Sequence, residues 1–189
     1  MNLLVHICCS VCFAGILEDL KRKNLSFTGF FYNPNIHPLI EFRRRLKALK
    51  VLLEGENIEV IYNENYGLKD FLRGVDWQDK RCADCYCLRL RKTAQVAKER
   101  GFSAFTTTLL ASPHQEHSVL RRIGEKVSEE TEVPFAYFDF RGLHQRSLEL
   151  AKKKGLYHQK YCGCIFSEYE RFKDTTLHLY RGPGGQQAK

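Results

Sequence analysis

No apolar run in this 189-residue chain approaches the roughly 20 residues needed to cross a bilayer. The opening "MNLLVHICC" has no basic n-region, no long h-region and no small-residue cleavage site. A signal peptide is therefore not expected, and the chain reads as cytoplasmic with no membrane partner. No G-x-G-x-x-G and no Walker sequence follows the first apolar segment, so a dinucleotide or P-loop nucleotide site lacks its fingerprint. Internal repeats are absent. Acidic residues are in deficit, 22 against 30 Lys plus Arg, for a net charge of +8. That balance favours a polyanionic partner such as nucleic acid.

Cysteine is what the chain has in excess. All eight fall into clusters: Cys8, Cys9 and Cys12; Cys82, Cys85 and Cys87; Cys162 and Cys164. A reducing compartment leaves little room for a structural disulfide framework. Clustered thiols there point to metal binding or redox chemistry.

Strand-like and helix-like segments alternate along the chain. Apolar runs at 2–7, 26–33, 58–63, 103–110 and 134–140 read as five strands. Amphipathic stretches at 12–23, 38–54 and 85–100, one opening at Ser112–Pro113, and a last one from His144 read as helices. The stripe of the second helix is Leu39, Phe42, Leu46, Leu49 and Leu53. This alternation predicts an α/β fold: a three-layer, Rossmann-like parallel sheet with a cysteine-bearing C-terminal segment. Residues 1–181 are expected to form one metallo-redox domain, and the Gly/Gln-rich 182–189 a flexible tail. Ligands of such sheets bind beyond the carboxyl ends of the strands. Cys8, Cys9, Thr106, Thr107, Thr108 and Ser112 are predicted to lie there.

"CADC" (82–85) is a C-x-x-C placed before a predicted helix, able to offer two thiolates to one metal or cluster. Cys8 and Cys9 are its natural complement. Adjacent cysteines reach a multi-iron cluster more readily than they share one tetrahedral zinc. The set Cys8, Cys9, Cys82 and Cys85 therefore favours [4Fe–4S] and leaves zinc as the alternative. Cys12 is either an interior helix residue or a ligand of a second metal. Cys87 reads as structural, and His6 as a hydrogen-bonded strand residue. "YCGC" (161–164) either chelates metal or closes a small strained disulfide, which makes Cys162 and Cys164 a candidate redox pair.

Taken in order, "HICCSVC", "CADCYCLRLRKTA", "TTTLLASPHQ", "FDFR" and "YCGC" resemble the cobalamin-independent epoxyqueuosine reductase family, from the first strand to about Phe172. The family is similar to the nucleotide α-hydrolase-like folds of tRNA-thiolating enzymes, with cysteines where those carry a pyrophosphate loop. The resemblance implies reductive removal of the epoxide oxygen of epoxyqueuosine at the tRNA wobble position, with an external electron donor. It also implies a [4Fe–4S] cluster on Cys8, Cys9, Cys82 and Cys85, an additional iron, and a redox-active pair at Cys162 and Cys164. Ser10–Val11 replaces the expected Ala–Pro and changes no thiol. Cys12 and an acidic residue, Asp84 or Asp139, are candidates for the additional iron. Asp139 or Tyr161 is a candidate proton donor. "EFRRRLKALK" and "RLRK" are expected to hold tRNA phosphates, and Tyr32, Tyr86 and Trp77 to stack on anticodon bases. Two rival readings are an ATP-dependent tRNA-thiolating enzyme and a non-catalytic, zinc-dependent nucleic-acid-binding module.

Overall fold

The structure, a computed structural model, describes residues 1–78 and 80–175. The tail assigned to 182–189 lies outside the described residues. Four parallel strands form the sheet: β1 (Asn2–His6), β2 (Ser26–Phe31), β3 (Val60–Tyr62) and β4 (Ala104–Thr107), in the order β3-β2-β1-β4. Leu3, Leu4 and Val5 of β1 are wholly buried, as expected of a central strand covered on both faces. Burial of each such side chain contributes about 1.5–3 kcal/mol.

The helices are α1 (Ser10–Arg22), α2 (Leu39–Leu52), α3 (Leu68–Gly74), α4 (Arg81–Glu99), α5 (His117–Thr131), α6 (His144–Lys153) and α7 (Ile165–Phe172). α1 packs against α2 and α6, and α4 packs against α5. Right-handed crossovers put these two groups on opposite faces, giving three layers. α1 and α6 approach closely because position 15 is glycine. The Gly15 N–H donates to Ser147 Oγ at 3.1 Å, and a Cβ there would lie 2.3 Å from that oxygen.

The chain runs outward from β1 to β2 to β3, then returns to place β4 on the other side of β1. The strand order therefore reverses between β1 and β4. Their carboxyl ends form the crevice where ligands of open α/β sheets sit.

Three expectations need correction. Residues 134–140 do not form a fifth strand; a single parallel bridge, Phe105 to Phe135, is all that pairs. Thr107 Oγ1 accepts from Leu109 N at 3.1 Å and turns the chain into a 3₁₀ segment, Thr108–Ala111. β4 thus ends too early to offer an edge beyond Ala136. The C-x-x-C lies within the first turn of α4 rather than before it. Ser112 caps a turn, through His114 N at 3.2 Å, and α5 begins only at His117. α3 and α7 were not expected from the periodicity.

Candidate metal and redox site

Cys9 is the N-cap of α1. Its Sγ accepts from the backbone N–H of Cys12 at 3.4 Å, in the place where serine or aspartate usually sits. The Cys8 and Cys9 sulfurs are 3.8 Å apart. Thr108, from the end of β4, ties Cys8 from two sides: its hydroxyl accepts from Cys8 N at 2.9 Å and donates to Cys8 Sγ at 3.1 Å. Gln159 Nε2 donates to Cys9 Sγ at 2.8 Å. The thiols of Cys8, Cys9 and Cys12 all lie within 4.8 Å of one another. Hydrogen bonds from Cys12 and then Cys8 hold the Cys9 thiol well below its usual range, against burial. The hydrogen bond from Cys12 also favours ionisation of Cys8, but Cys9 and burial outweigh it and push Cys8 up to about 12. Cys12, bonded to both, is pushed well above its usual range. Of the three, Cys9 is the thiol whose ionisation the surroundings favour.

These thiols open onto a cavity of about 1010 Å³, also lined by Cys82, Cys85, Cys162 and Cys164. Seven of the eight cysteines thus meet at the switch crevice. Cys87 does not line it. Burial pushes Cys85 up to about 11. Cys85 and Cys164 pack with Phe71 and Val75 in a small apolar cluster of their own.

Two buried arginines organise the far wall. Arg45 of α2 donates from Nε to Glu41 Oε1 at 2.7 Å, from Nη1 to the Cys162 carbonyl at 2.8 Å, and from Nη2 to the Tyr161 carbonyl at 2.9 Å. Glu41 in turn accepts from Tyr157 Oη at 2.6 Å. The "YCGC" segment is also held by His37 N donating to the Gly163 carbonyl at 2.7 Å. Gly163 has φ +124°, and a Cβ there would lie 3.1 Å from Arg45 Nη1. Arg89 of α4 is 4% exposed. It donates from Nε to the Cys85 carbonyl at 3.1 Å and has no carboxylate partner among the described residues. Its charge acts instead on Cys85, Cys8 and Cys162.

Cys164 caps α7, accepting from Ser167 N at 3.5 Å, and Cys162 Sγ meets Ser167 Oγ at 2.9 Å. Both are free thiols. The hydrogen bond from Cys164, then that from Ser167, pushes Cys162 down to about 5 against burial. The same contact and burial push Cys164 up.

Not every expected residue reaches the cavity. Asp139 is exposed and paired with Arg141 at 2.8 and 2.5 Å; the Arg141 hydrogen bond holds its carboxyl below the usual range. Asp84 accepts from Asp76 N at 2.9 Å and does not line the cavity. Tyr161 does, with its hydroxyl donating to the His37 carbonyl at 2.5 Å. His6 is, as expected, a hydrogen-bonded strand residue, at 2.8 Å from Thr107 Oγ1 and 3.0 Å from the Tyr32 carbonyl. Each basic run turns one arginine inward, Arg45 and Arg89, so those two are unavailable to phosphates. Tyr86 is buried, with its hydroxyl 2.9 Å from Gln115 Oε1, and Tyr32 stacks on Phe30. Trp77 stays exposed, edge-on to Phe166. Thr108 stands at the ligand edge as expected, beside Cys8; Gln159 and the two inward arginines are the site residues that the sequence pattern missed or misplaced.

The donor set suits a thiolate-bound metal group. Around a single tetrahedral zinc, sulfurs about 2.3 Å from the metal stand about 3.8 Å from one another. Among the described residues Cys8, Cys9 and Cys12 form the one group of three potential ligands, within 4.8 Å of one another, and Cys8 and Cys9 stand at that spacing. Cys82 and Cys85 face them across the cavity, which suits a multi-iron group. A buried guanidinium without a carboxylate calls for negative charge on the cavity side, which thiolates or an anionic cluster supply.

Residues 3–170 match the family model described as "Epoxyqueuosine reductase QueH". Curated proteins named Epoxyqueuosine reductase QueH are similar over most of the chain. The protein from Dehalococcoides mccartyi is 37% identical, covering 90% of this chain and 94% of its own length. That from Thermotoga maritima is 35% identical, covering 90% and 92%. That from Histophilus somni is 33% identical, covering 98% and 77%.

Proposed function

Because the chain belongs to the epoxyqueuosine reductase QueH family, we propose that it removes the epoxide oxygen of epoxyqueuosine at the tRNA wobble position, drawing electrons from an external donor. The chain is an oxidoreductase of tRNA queuosine synthesis. The observation that carries the finer reading is the convergence of seven cysteines from three distant segments on one cavity, with no aspartate or glutamate among the described residues of its wall.

In this reading Cys8, Cys9, Cys82 and Cys85 hold a [4Fe–4S] cluster. Cys12 is the candidate ligand of an additional iron that reaches the cavity; Asp84 is not. When bound, the group supplies electrons singly and a Lewis-acidic position for the epoxide oxygen.

The chain's own residues do the rest. Arg89 balances the negative charge of the sulfurs. Arg45 holds the Cys162 and Tyr161 carbonyls and so keeps the redox pair against the cavity. Val11, Phe71, Leu109 and Leu148 give the wall an apolar part that excludes water. Converting an epoxide to an alkene consumes two electrons and two protons and releases water. Closing Cys162 and Cys164 to a disulfide supplies two electrons and, with Cys162 ionised, the one proton of Cys164; water supplies the second proton, which balances one turnover. Cys162 is the exposed member and so the one an external reductant can reach to reopen the pair.

Anaerobic purification, metal analysis and a visible spectrum form the first test. Stoichiometric zinc in a colourless protein would exclude the iron–sulfur reading and favour the zinc module. Tight ATP binding would favour the thiolating enzyme. Incubating the iron-loaded protein with epoxyqueuosine-containing tRNA and a strong reductant should give queuosine by mass. A loaded protein that leaves the substrate unchanged refutes the reaction. Cys82→Ser should lower bound iron while leaving the fold intact, because that side chain is exposed.

A further inference from the structure

We infer that Lys160 and Arg171, at the rim of the cysteine cavity, clamp the phosphodiester backbone on either side of the nucleotide whose base enters it. The inference rests on the reading of the substrate as a nucleic acid.

Charge is distributed unevenly along the wall. Among the described residues it contains Arg45, Arg81, Arg89, Lys160 and Arg171 and no carboxylate. Arg45 is neutralised by Glu41 at 2.7 Å. Arg81 is neutralised by Glu170 at 2.8 Å. Arg89 is buried and turned to the sulfurs. Lys160 and Arg171 remain. Both are exposed, and neither has an ion-pair partner among the described residues. Lys160 immediately precedes the "YCGC" turn and Arg171 stands in the last turn of the short helix α7 that follows it, and both line the same cavity.

The basic runs that stand out in the sequence are poorer candidates. Lys50 is paired with Glu64 at 2.5 Å and Arg91 with Glu130 at 2.8 Å, and Arg43, Arg44, Lys47 and Lys92 do not line the cavity. Their inward arginines are committed as described.

The geometry of the reaction points the same way. Chemistry on a base requires it to leave the stack and enter a pocket. Cys9 and Cys85 are buried and Cys8 and Cys12 half-buried in the lining, so a base must enter the cavity to reach them while its two flanking phosphates stay outside, at its mouth. Cations free of internal partners at that mouth gain the full benefit of phosphate contact. No carboxylate among the described lining residues opposes it by repulsion.

Binding can be measured without the reaction, using an unmodified anticodon stem-loop RNA and the iron-loaded protein over a salt series. Each single-strand phosphate contact contributes about 0.7 to the slope of log affinity against log salt. Lys160→Ala with Arg171→Ala should therefore flatten the slope by about 1.4 and raise KM for epoxyqueuosine RNA without lowering kcat. Lys152→Ala with Lys153→Ala, an exposed pair off the cavity wall, should leave both unchanged. An unchanged slope in the rim variant, or an equal loss in the control, overturns the clamp. Wild-type protein that binds with the full slope yet makes no queuosine would overturn the proposed reaction and leave the clamp standing.

Discussion

Replacing Arg45 with methionine removes three hydrogen bonds at once: to Glu41 at 2.7 Å, to the Cys162 carbonyl at 2.8 Å and to the Tyr161 carbonyl at 2.9 Å. Glu41 is 4% exposed, so it is left as a buried carboxylate with one remaining donor, Tyr157 Oη. Stranding one member of a buried pair costs about 3–5 kcal/mol. The two carbonyls lie against the cavity and regain water, so the stranded charge dominates. A loss of about 4 kcal/mol lowers the folded-to-unfolded ratio on the order of a thousandfold. Urea denaturation of wild-type and variant protein measures it. The double change Glu41→Gln with Arg45→Met removes the stranded charge and keeps an acceptor for Tyr157, so it should recover at least about half of the loss. A loss below about 1 kcal/mol for Arg45→Met, or a double variant no more stable than the single, would refute a central role for this network. Alkylation of Cys162 provides a local readout. It should accelerate in Arg45→Met under conditions where the variant is still fully folded, because the turn that carries it is freed.

In metal-free protein, Cys162 should react with iodoacetamide with an inflection near pH 5, set by the hydrogen bonds from Cys164 and Ser167, and Ser167→Ala should move that inflection upward. The folded thiol ionises below the unfolded one. The unfolded chain therefore binds the extra proton between about pH 5 and the free-thiol value of about 8.5, and Cys162 makes stability rise with pH across that window; a flat contribution would contradict the assignment. Gly163→Ala forces a Cβ onto a φ of +124°, 3.1 Å from Arg45 Nη1. It should cost about 1–3 kcal/mol in denaturant titration, and a neutral result would mean the turn is free to rearrange.

Much of the fold was legible because its strands are short, apolar and closed by clear turn residues. "NLLVHI" reads as a buried central strand because it is one, and the two cysteines after it had to fall at the ligand edge. Residues 134–140 read as a strand for the same local reason and failed for a non-local one. Whether they pair depends on where β4 stops, which a Thr107 side chain decides. The helix 39–52 shows the same limit. Phe42, Leu46 and Leu49 of its expected apolar stripe are buried, but Leu39 is exposed, and the burial of Glu41 and Arg45 depends on a segment more than a hundred positions away. No periodicity distinguishes an arginine that faces solvent from one that holds a distant carbonyl. The clustered cysteines were visible as chemistry from composition alone. Their meeting in one cavity needed the crossover that sets β4 beside β1.

The cavity is assembled from the first strand, the middle of the chain and its C-terminal third, and this has a consequence for biosynthesis. As the polypeptide leaves the ribosome, Cys8 and Cys9 emerge long before Cys82 and Cys85, and longer still before the turn that Arg45 will grip. A nascent chain therefore exposes reactive sulfur before it has a pocket to protect it. Until the later segments fold against them, the early thiols depend on the reducing power of their surroundings.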